Sequence, residues 1–441
     1  MVFWGPLLAL ALAGCGKENP AAQGRVVVTY WEKQTGYQAD AIRAVVDDFN
    51  ASQDRIFVDF MSVSQIDNKL MLSTAGGVPP DLVGLWSNMV PVYAENNALM
   101  PLDKLAADNN VKRENYIDVF WQLCCHRDHL WALPSSSASI ALIWNKKLFR
   151  EAGLNPDQPP RSIAELEEFN KKLEKRGPDG SLERMGFLPL EPNWYCTMYG
   201  YWFGGSLWDG DKSITANAPQ NIAAYEWVAS YPKRYGADSL IAFRDGFGNF
   251  ASSANPFLSG RVAMELQGPW ISKYIELYAP KDFEWGAAAF PAEDPSRLHN
   301  VAIVETDVIA IPNGAKHPKE AFEFLKYLNQ QKPMEKMCMG KEQFTPLKDC
   351  SPEFFRDHPN PYIKVFLDLA KSPDARYAPR LSTWVEYNSN LRDGISKIWD
   401  GKISAADALN SVEMHQQKTF DQREERWERL SKELPAKWSN Q

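Results

Sequence analysis

The sequence predicts an α/β protein with open, mostly parallel sheets. Three neighbouring segments indicate this class. Arg25 to Glu32 is a short apolar segment typical of a buried strand, Tyr37 to Ser52 carries apolar residues at helical spacing, and Arg55 to Met61 alternates apolar with polar residues. A strand, a helix and a second strand in this order predict a βαβ unit, and the same alternation continues along the chain.

The remaining elements follow from the same periodicity and from turn and capping signals. Further strands are predicted at Pro79 to Trp86, Leu130 to Pro134, Ile140 to Trp144, Arg261 to Gln267, Trp285 to Phe290 and Val308 to Ile311. Helices are predicted at Met89 to Ala98, from the capping box Ser162-Ile163-Ala164-Glu165 to about Lys175, and at Pro219 to Tyr235. From Pro318 onward the pattern is almost entirely helical.

The N-terminal segment has the features of an export signal. Met1 to Cys15 contains no charged residue, and it is shorter than the roughly 20 apolar residues that a membrane-spanning helix needs. Its apolar run and small-residue end are typical of a signal peptide. Leu12-Ala13-Gly14-Cys15 resembles the bacterial lipoprotein signal, which implies lipidation of Cys15 and a membrane anchor. The alternative is a buried cysteine at the end of a short core helix.

Composition excludes several classes of function. The net charge is −8 and the cations are scattered, so we expect no nucleic-acid partner. The motifs G-x-S-x-G, H-E-x-x-H and G-x-x-x-x-G-K-[ST] are absent, which leaves serine hydrolases, zincins and P-loop enzymes without support. We therefore expect no cofactor and no nucleotide hydrolysis by the chain itself.

The cysteines leave two questions open. Beyond Cys15 the chain has an odd number of cysteines, so at least one lacks a partner within the chain, and the first disulfide to test is Cys338 with Cys350. The segment "CCHRDH", Cys124 to His129, contains zinc-ligand residue types, but their crowding departs from the usual C-x₂₋₄-C spacing. We expect a polar turn there and no metal, with a zinc site as the alternative.

Tryptophans cluster where predicted strands end. The first strand ends in Trp31 to Gln34, the strand from Pro79 ends in Trp86 to Asn88, and the strand from Arg261 runs into Gly268 to Trp270. Open α/β sheets bind ligands beyond the carboxyl ends of their strands. Aromatic planes beside polar groups suit a pyranose ring, which has apolar faces and a rim of hydroxyls. The pattern predicts a binding cleft.

Three segments resemble the family-1 extracellular solute-binding proteins of bacterial ABC importers. These are "LWALPSSSASIALIWNKKLFREAGL" (Leu130 to Leu154), "NPFLSGRVAMELQGPW" (Asn255 to Trp270) and "VIAIPNGAKHPKEAFEFLKYL" (Val308 to Leu328). The resemblance covers nearly the whole chain after the export signal. It implies the two-lobe, type II periplasmic-binding-protein (Venus-flytrap) fold, with hinge crossings between lobes that close over a ligand. "CCHRDH" departs from the family's pattern, which has a shorter hairpin at this place in the hinge region.

The resemblance also implies a division of the chain. We expect a signal peptide at 1–15, a flexible tether at 16–24, a first lobe from 25–135 plus 262–312, and a second lobe from 136–261 plus 313–441. Charge-assisted hydrogen bonds are expected from carboxylates beside the cleft. The candidate ligand-binding residues are Trp31, Glu32, Trp86, Asn88, Ser136, Glu191, Trp194, Tyr195, Trp270, Glu305, Asp307, Trp384 and Tyr387.

The expected function is that of a monomeric, lipid-anchored receptor outside the cytoplasm. It would bind a sugar or oligosaccharide without catalysis and deliver it to the membrane permease of an ABC importer. Three alternatives stay open: a receptor for a polyamine or another small polar solute, a secreted glycosidase with two cleft carboxyls, and a lipoprotein with a purely adhesive or scaffolding role.

Overall fold

The computed structural model describes residues 22–432. The predicted signal peptide with Cys15 and most of the tether lie outside the described residues. Within 22–432, no helix is both long and apolar enough to cross a membrane.

Thirteen strands are present in the described range. They are β1 (Val26–Glu32), β2 (Ile56–Ser62), β3 (Leu82–Trp86), β4 (Cys125–His126), β5 (His129–Leu130), β6 (Ala132–Ser139), β7 (Ala141–Asn145), β8 (Lys175–Arg176), β9 (Leu182–Phe187), β10 (Val262–Gln267), β11 (Trp285–Ala288), β12 (Ala302–Ala310) and β13 (Ala375–Arg376). Every predicted strand is confirmed, with ends shifted by a few residues.

Sixteen α-helices cover most of the remaining described residues. They are α1 (Gly36–Ser52), α2 (Ile66–Ala75), α3 (Val90–Glu95), α4 (Asp103–Asp108), α5 (Asp118–Leu123), α6 (Lys146–Glu151), α7 (Ile163–Leu173), α8 (Pro219–Tyr235), α9 (Ala237–Asp245), α10 (Ile271–Tyr278), α11 (Pro318–Leu328), α12 (Gln331–Lys341), α13 (Pro352–Asp357), α14 (Ile363–Ala370), α15 (Trp384–Trp399) and α16 (Ala405–Leu430). Short 3₁₀ helices lie at Ser87–Met89, Arg113–Asn115 and Cys196–Phe203.

The first sheet has the strand order β13-β12-β3-β1-β2, with β6 also paired to β12. β1 and β2 are parallel along their whole length, from Val26 opposite Ile56 to Glu32 opposite Ser62, which confirms the βαβ opening. Its core contains Val45 and Phe49 of α1, and the ring centroid of Phe49 lies 5.3 Å from that of Phe324 in α11.

The second sheet has the order β11-β7-β10-β9-β8. Its central strand β10 pairs antiparallel with β7 and parallel with β9. A core rich in aromatic residues covers one face, with Trp202, Tyr225 and Tyr387 fully buried. This sheet and the helices α7, α8, α15 and α16 form the second half of the molecule.

The sheets are mixed, so the prediction of mostly parallel sheets is wrong. β12 runs antiparallel to both β3 and β6, and β7 runs antiparallel to both β10 and β11. The reason is that the chain changes sheets. β6 lies in the first sheet, Ile140 follows it, and β7 begins in the second sheet at the next residue. The chain returns from β11 in the second sheet to β12 in the first, where β12 joins antiparallel to both β3 and β6.

The membership of each sheet differs from the expected lobe boundaries at two places. The segment from Val262 was assigned to the first lobe, but β10 and β11 lie in the second sheet because both pair with β7. The segment after 312 was assigned to the second lobe, but α11 and α12 pack in the core of the first sheet through residues such as Phe322 and Met337. Periodicity does not reveal which sheet a strand joins.

A third cluster of buried residues joins the two halves. It combines Phe120 of α5, Ile143 of β7, Val304 of β12 and Phe366 of α14. The amide of Ile140, at the first crossing, donates a hydrogen bond to the carbonyl of Ile303 (2.8 Å). The crossing strands are therefore fixed to each other at the junction of the two sheets.

The N-cap of α7 gives a test of the fold. Ser162 Oγ accepts a hydrogen bond from the amide of Glu165 (3.1 Å), as the capping box predicts. Ser162→Ala should lower the free energy of unfolding by about 1 kcal/mol because that amide loses its partner. Urea denaturation measures the change. Ser162→Asp keeps an acceptor and should retain most of the stability; an equal loss in both variants would contradict the capping role.

Candidate ligand-binding site

A cleft with a cavity volume of about 260 Å³ lies between the two halves. The first half contributes the end of β3, the middle of β6 and the middle of β12. The second half contributes the segment from Trp194 to Met198 and the first turns of α15. The cleft thus lies beside the crossing strands, where side chains from both sheets meet.

The structure brings eight of the candidate residues together. Those lining the cleft are Trp86, Asn88, Ser136, Trp194, Tyr195, Glu305, Asp307 and Trp384. They come from segments far apart in sequence, and the register of the first sheet explains part of their proximity: Asp307 lies opposite Trp86, and Thr306 lies opposite Ser137.

The other five candidates do not line this cavity. Trp31 packs against the first core, and Glu32 is buried and accepts a hydrogen bond from the Tyr30 hydroxyl (2.7 Å). A carboxylate oxygen of Glu191 lies 3.7 Å from the guanidinium Nε of Arg244. Trp270 lies beside Trp194, and the buried Tyr387 donates its hydroxyl to the carbonyl of Leu207 (2.8 Å), as a core residue does. Their roles in ligand binding stay predictions.

Two indoles remain exposed at the cleft. Trp86, from the first half, has 45% of its surface exposed, and Trp194, from the second half, has 40%. Such exposure is costly for an indole that has nothing to cover it. Trp384 also borders the cavity, but only 2% of its surface is exposed, so it forms part of the wall.

Asp307 is the centre of a compact ionic group. Lys33 Nζ lies 2.8 Å from one carboxylate oxygen, and Lys341 Nζ lies 2.6 Å from the other. Gln34 also donates to this carboxylate (3.0 Å). Burial alone would raise the pKa of Asp307, but the two lysines outweigh that effect and hold the pKa well below its ordinary value. Asp307 therefore stays ionised, and its charge is already neutralised.

Glu305 lies two residues earlier on β12 and has no cationic partner at hydrogen-bond distance among the described side chains. The Tyr195 hydroxyl donates to it across the cleft (3.3 Å). Burial, together with the negative charge of Asp307, raises the pKa of Glu305 to about 7, against the opposing effects of Tyr195 and Lys33. At neutral pH its carboxyl can therefore either accept or donate a hydrogen bond.

Several residues of the cleft are absent from the candidate ligand-binding residues that the sequence predicts. They are Gln343, Tyr377, Arg380 and Arg392, which line the cavity, and Lys33 and Lys341, which hold Asp307. Lys33 lies within the strand end Trp31 to Gln34 that the tryptophan pattern indicates, although it is not among the candidate ligand-binding residues. Lys341 gives no such signal, since it ends a helix of ordinary composition.

Arg392 shapes the cleft without facing a carboxylate. Its guanidinium donates to the backbone carbonyls of Asn193 (2.8 Å) and Trp194 (3.0 Å). These bonds connect α15 to the loop that carries the exposed indole. Arg380 similarly donates to the carbonyl of Gln122 (2.9 Å), which lies in the first half.

The segment "CCHRDH" forms a hairpin of β4 and β5, with Arg127 and Asp128 at positive φ in its turn. His126 pairs with Glu95 (2.8 Å), and Arg127 binds Glu95 (3.1 Å) as well as Glu424 on α16. The hairpin therefore joins the first half to the second. No cluster able to hold a metal ion occurs within 22–432.

The five cysteines of the described range are all unpaired: Cys124, Cys125, Cys196, Cys338 and Cys350. The pair suggested for testing, Cys338 with Cys350, is thus not joined in this structure. Burial raises the pKa of both thiols.

Comparison with known proteins identifies the family. Residues 35–335 match the family described as bacterial extracellular solute-binding protein, so the chain belongs to that family. The fold is similar to CpMnBP1 with mannobiose bound, at a TM-score of 0.78 and 26% identity, covering 88% of this chain and 99% of that chain. It is also similar to the sugar-binding protein MalE from Xanthomonas citri, at a TM-score of 0.74 and 20% identity, covering 91% and 99%.

A relative found by sequence extends the comparison. The sn-glycerol-3-phosphate-binding periplasmic protein of Yersinia enterocolitica is 22% identical over 413 residues, which are 87% of this chain and 90% of that protein. The family and the solved structures confirm the type II periplasmic-binding-protein fold that the sequence motifs implied.

The raised pKa of Glu305 predicts a pH dependence of stability. The unfolded carboxyl ionises near its ordinary pKa of 4.5, whereas the folded one holds its proton until about pH 7. This group's contribution is therefore fully present below about pH 4.5 and lost as the pH rises to about 7. Glu305→Gln should gain melting temperature relative to the original protein between pH 4.5 and pH 8. A difference that stays constant over that range would contradict the assignment.

Proposed function

We propose that this protein is the sugar-binding component of a bacterial ABC importer. The observation that carries the proposal is the pair of exposed indoles, Trp86 and Trp194, which come from opposite halves and border one cleft whose floor carries Glu305. A sugar ring between the halves would cover the apolar indole faces, while its hydroxyls reach the polar groups of β12. The known ligands of similar proteins, mannobiose among them, support this class.

The energetics require both kinds of contact. If a sugar covers about 50 Å² of one indole, burial contributes roughly 1.2 kcal/mol. Two or three such rings give about 2 to 4 kcal/mol, whereas micromolar affinity needs about 8 kcal/mol. Hydrogen bonds to charged groups contribute about 1.5 to 3 kcal/mol each. Glu305 is the cleft carboxyl without a cationic partner among the described residues, so it is the favoured source of such a bond.

The charges of the cleft favour a sugar over a polyamine. A polyamine site needs free carboxylates framed by aromatic rings. Here Asp307 is already neutralised by Lys33 and Lys341. The two arginines that line the cavity, Arg380 and Arg392, add positive charge that a polycation would have to approach.

The cleft is proposed to bind its ligand without cleaving it. A glycosidase needs two carboxyls on opposite sides of the scissile bond. The two lining carboxyls, Glu305 and Asp307, are instead two residues apart on one strand, and Asp307 is held by two lysines. Release of mannose from mannobiose at a steady rate would favour the glycosidase alternative.

Binding itself is tested by calorimetry with a defined panel. We expect saturable binding of at least one of mannobiose, mannotriose, maltotriose or maltotetraose, and no binding of spermidine or putrescine. sn-Glycerol-3-phosphate tests a small anionic ligand in the same cleft. Binding of a polyamine alone would overturn the sugar assignment, and no binding in the whole panel would favour a scaffolding role.

The indoles are tested by substitution. Trp194→Ala and Trp86→Ala should each weaken the binding of mannobiose by about eightfold, the loss expected from about 1.2 kcal/mol of apolar contact. Leu277→Ala is the control, because Leu277 on α10 is also about half exposed but does not line the cleft. Unchanged affinity in both tryptophan variants would contradict the stacking role.

A protein that delivers a ligand to an importer would act outside the cytoplasm. We propose export through the segment 1–15, lipidation at Cys15, a monomeric state, and transfer of the closed form to the permease subunits of an ABC importer. The chain belongs to a family of extracellular solute-binding proteins, which supports a location outside the cytoplasm. Cells fed a labelled fatty acid should incorporate it into the protein, whereas Cys15→Ala should not be labelled and should be released from the membrane fraction.

A further inference from the structure

A buried carboxyl on β10 has no role in the cleft described above. Glu265 is only 1% exposed. One of its oxygens accepts a hydrogen bond from the side-chain amide of Gln267, and the other has no hydrogen-bond partner within residues 22–432. A buried and incompletely paired carboxyl destabilises a fold, so its position calls for a specific explanation.

The amide of Gln267 extends this interaction toward the cleft. Its carbonyl oxygen accepts a hydrogen bond from the indole N–H of Trp270 (3.1 Å). A side-chain amide has one donor end and one acceptor end. Because Glu265 accepts from the donor end, the acceptor end is directed at Trp270.

The turn after β10 brings the indole of Trp270 against the backbone of Gly268. A Cβ atom on Gly268 would lie 2.3 Å from the ring of Trp270, so the ring rests directly on the glycine backbone. The indole is thus held by the glycine on one face and by Gln267 at its nitrogen.

Trp270 in turn lies against an indole of the cleft. The ring centroids of Trp270 and Trp194 are 6.4 Å apart, and Phe250 lies 4.7 Å from Trp194 on another side. Trp194 is the indole that the second half exposes to the cleft. A continuous series of contacts therefore connects the buried carboxyl to the ligand-facing surface.

We propose that Glu265 is a positioning residue of the binding cleft: it fixes the orientation of Gln267, which holds the indole of Trp270 as the support on which Trp194 meets the sugar. This inference rests on the proposed function for its consequence in binding. Its structural part, the fixed orientation of Trp270 and Trp194, can be tested without any ligand.

The groups around Glu265 set the protonation state of its carboxyl, and this state determines which substitution keeps its charge and hydrogen bonding. Burial raises the pKa of Glu265 to about 8, the bond from Gln267 lowers it, and the charge of Glu191 raises it further. The other titratable group beside it is Tyr199. The carboxyl is therefore mostly protonated at pH 7, so Glu265→Gln preserves its charge, its shape and an acceptor for Gln267.

The first experiment measures the two indoles directly. Near-ultraviolet circular dichroism detects the coupling of indoles at this separation, and Trp270→Phe and Trp194→Phe identify their signal. Glu265→Leu should lose the signal, Glu265→Gln should retain it, and far-ultraviolet spectra should confirm that both variants fold. Met264→Ala is the control, since Met264 is a fully buried neighbour on β10 outside this series of bonds. A signal that Glu265→Leu retains would overturn the proposal.

The second experiment measures mannobiose affinity in a double-mutant cycle. Glu265→Leu should weaken binding about fivefold in the original protein, the effect of one hydrogen bond, and should have no further effect in Trp194→Ala. Glu265→Gln should bind mannobiose with about the affinity of the original protein. An equal loss in both backgrounds would show a merely structural role and overturn the proposal. If Trp194→Ala itself leaves mannobiose binding unchanged, the role of Trp194 in binding and the binding part of this proposal both fail. If the original protein binds no sugar of the panel, the proposed function fails and the dichroism result alone decides the role of Glu265.

Discussion

The pairing of β12 with its neighbours is the constraint on which the site depends. β12 lies antiparallel to β3 and β6, and its register shifts between Thr306 and Val308 against β6. An irregularity of this kind redirects a side chain, and here the residue at the shift is Asp307. Because side chains alternate along a strand, a slip of one residue would move Glu305 and Asp307 to the opposite face. The register thus determines which carboxyls face the cleft.

The two lysines that pair with Asp307 explain how β12 can carry a buried carboxylate at the junction of the two sheets. A buried carboxylate that lacks a partner strongly destabilises a fold, whereas one with close cations and further hydrogen bonds is tolerated. Lys33 comes from the loop after β1, and Lys341 comes from the end of α12. The carboxylate that ties these elements together has its charge neutralised by the two lysines, so it would be a poor partner for a cationic ligand.

Much of the fold could be predicted from the sequence, and the reasons for the failures are specific. The strands and α8 follow from local periodicity, and the strand-end argument predicts Trp86 and Asn88 from short-range patterns. The sheet to which β10 belongs depends on long-range pairing, which periodicity does not contain. Tyr387 has the same residue type as a ligand-stacking aromatic, yet its hydroxyl is satisfied in the core. Lys341 and Arg392 act through contacts with distant backbone or side chains and leave no local signal.

The hairpin of β4 and β5 carries a contact between the two halves that involves an arginine. Arg127 binds Glu95 in its own half and Glu424 in the other, and its guanidinium also lies 5.3 Å from the ring centroid of Trp427. If the halves separate as the proposed transport cycle requires, Arg127 exchanges Glu424 and Trp427 for water and keeps Glu95. Both Arg127 and Glu424 are partly exposed, so neither would become a buried charge without a partner, and the contact could break and re-form at low cost.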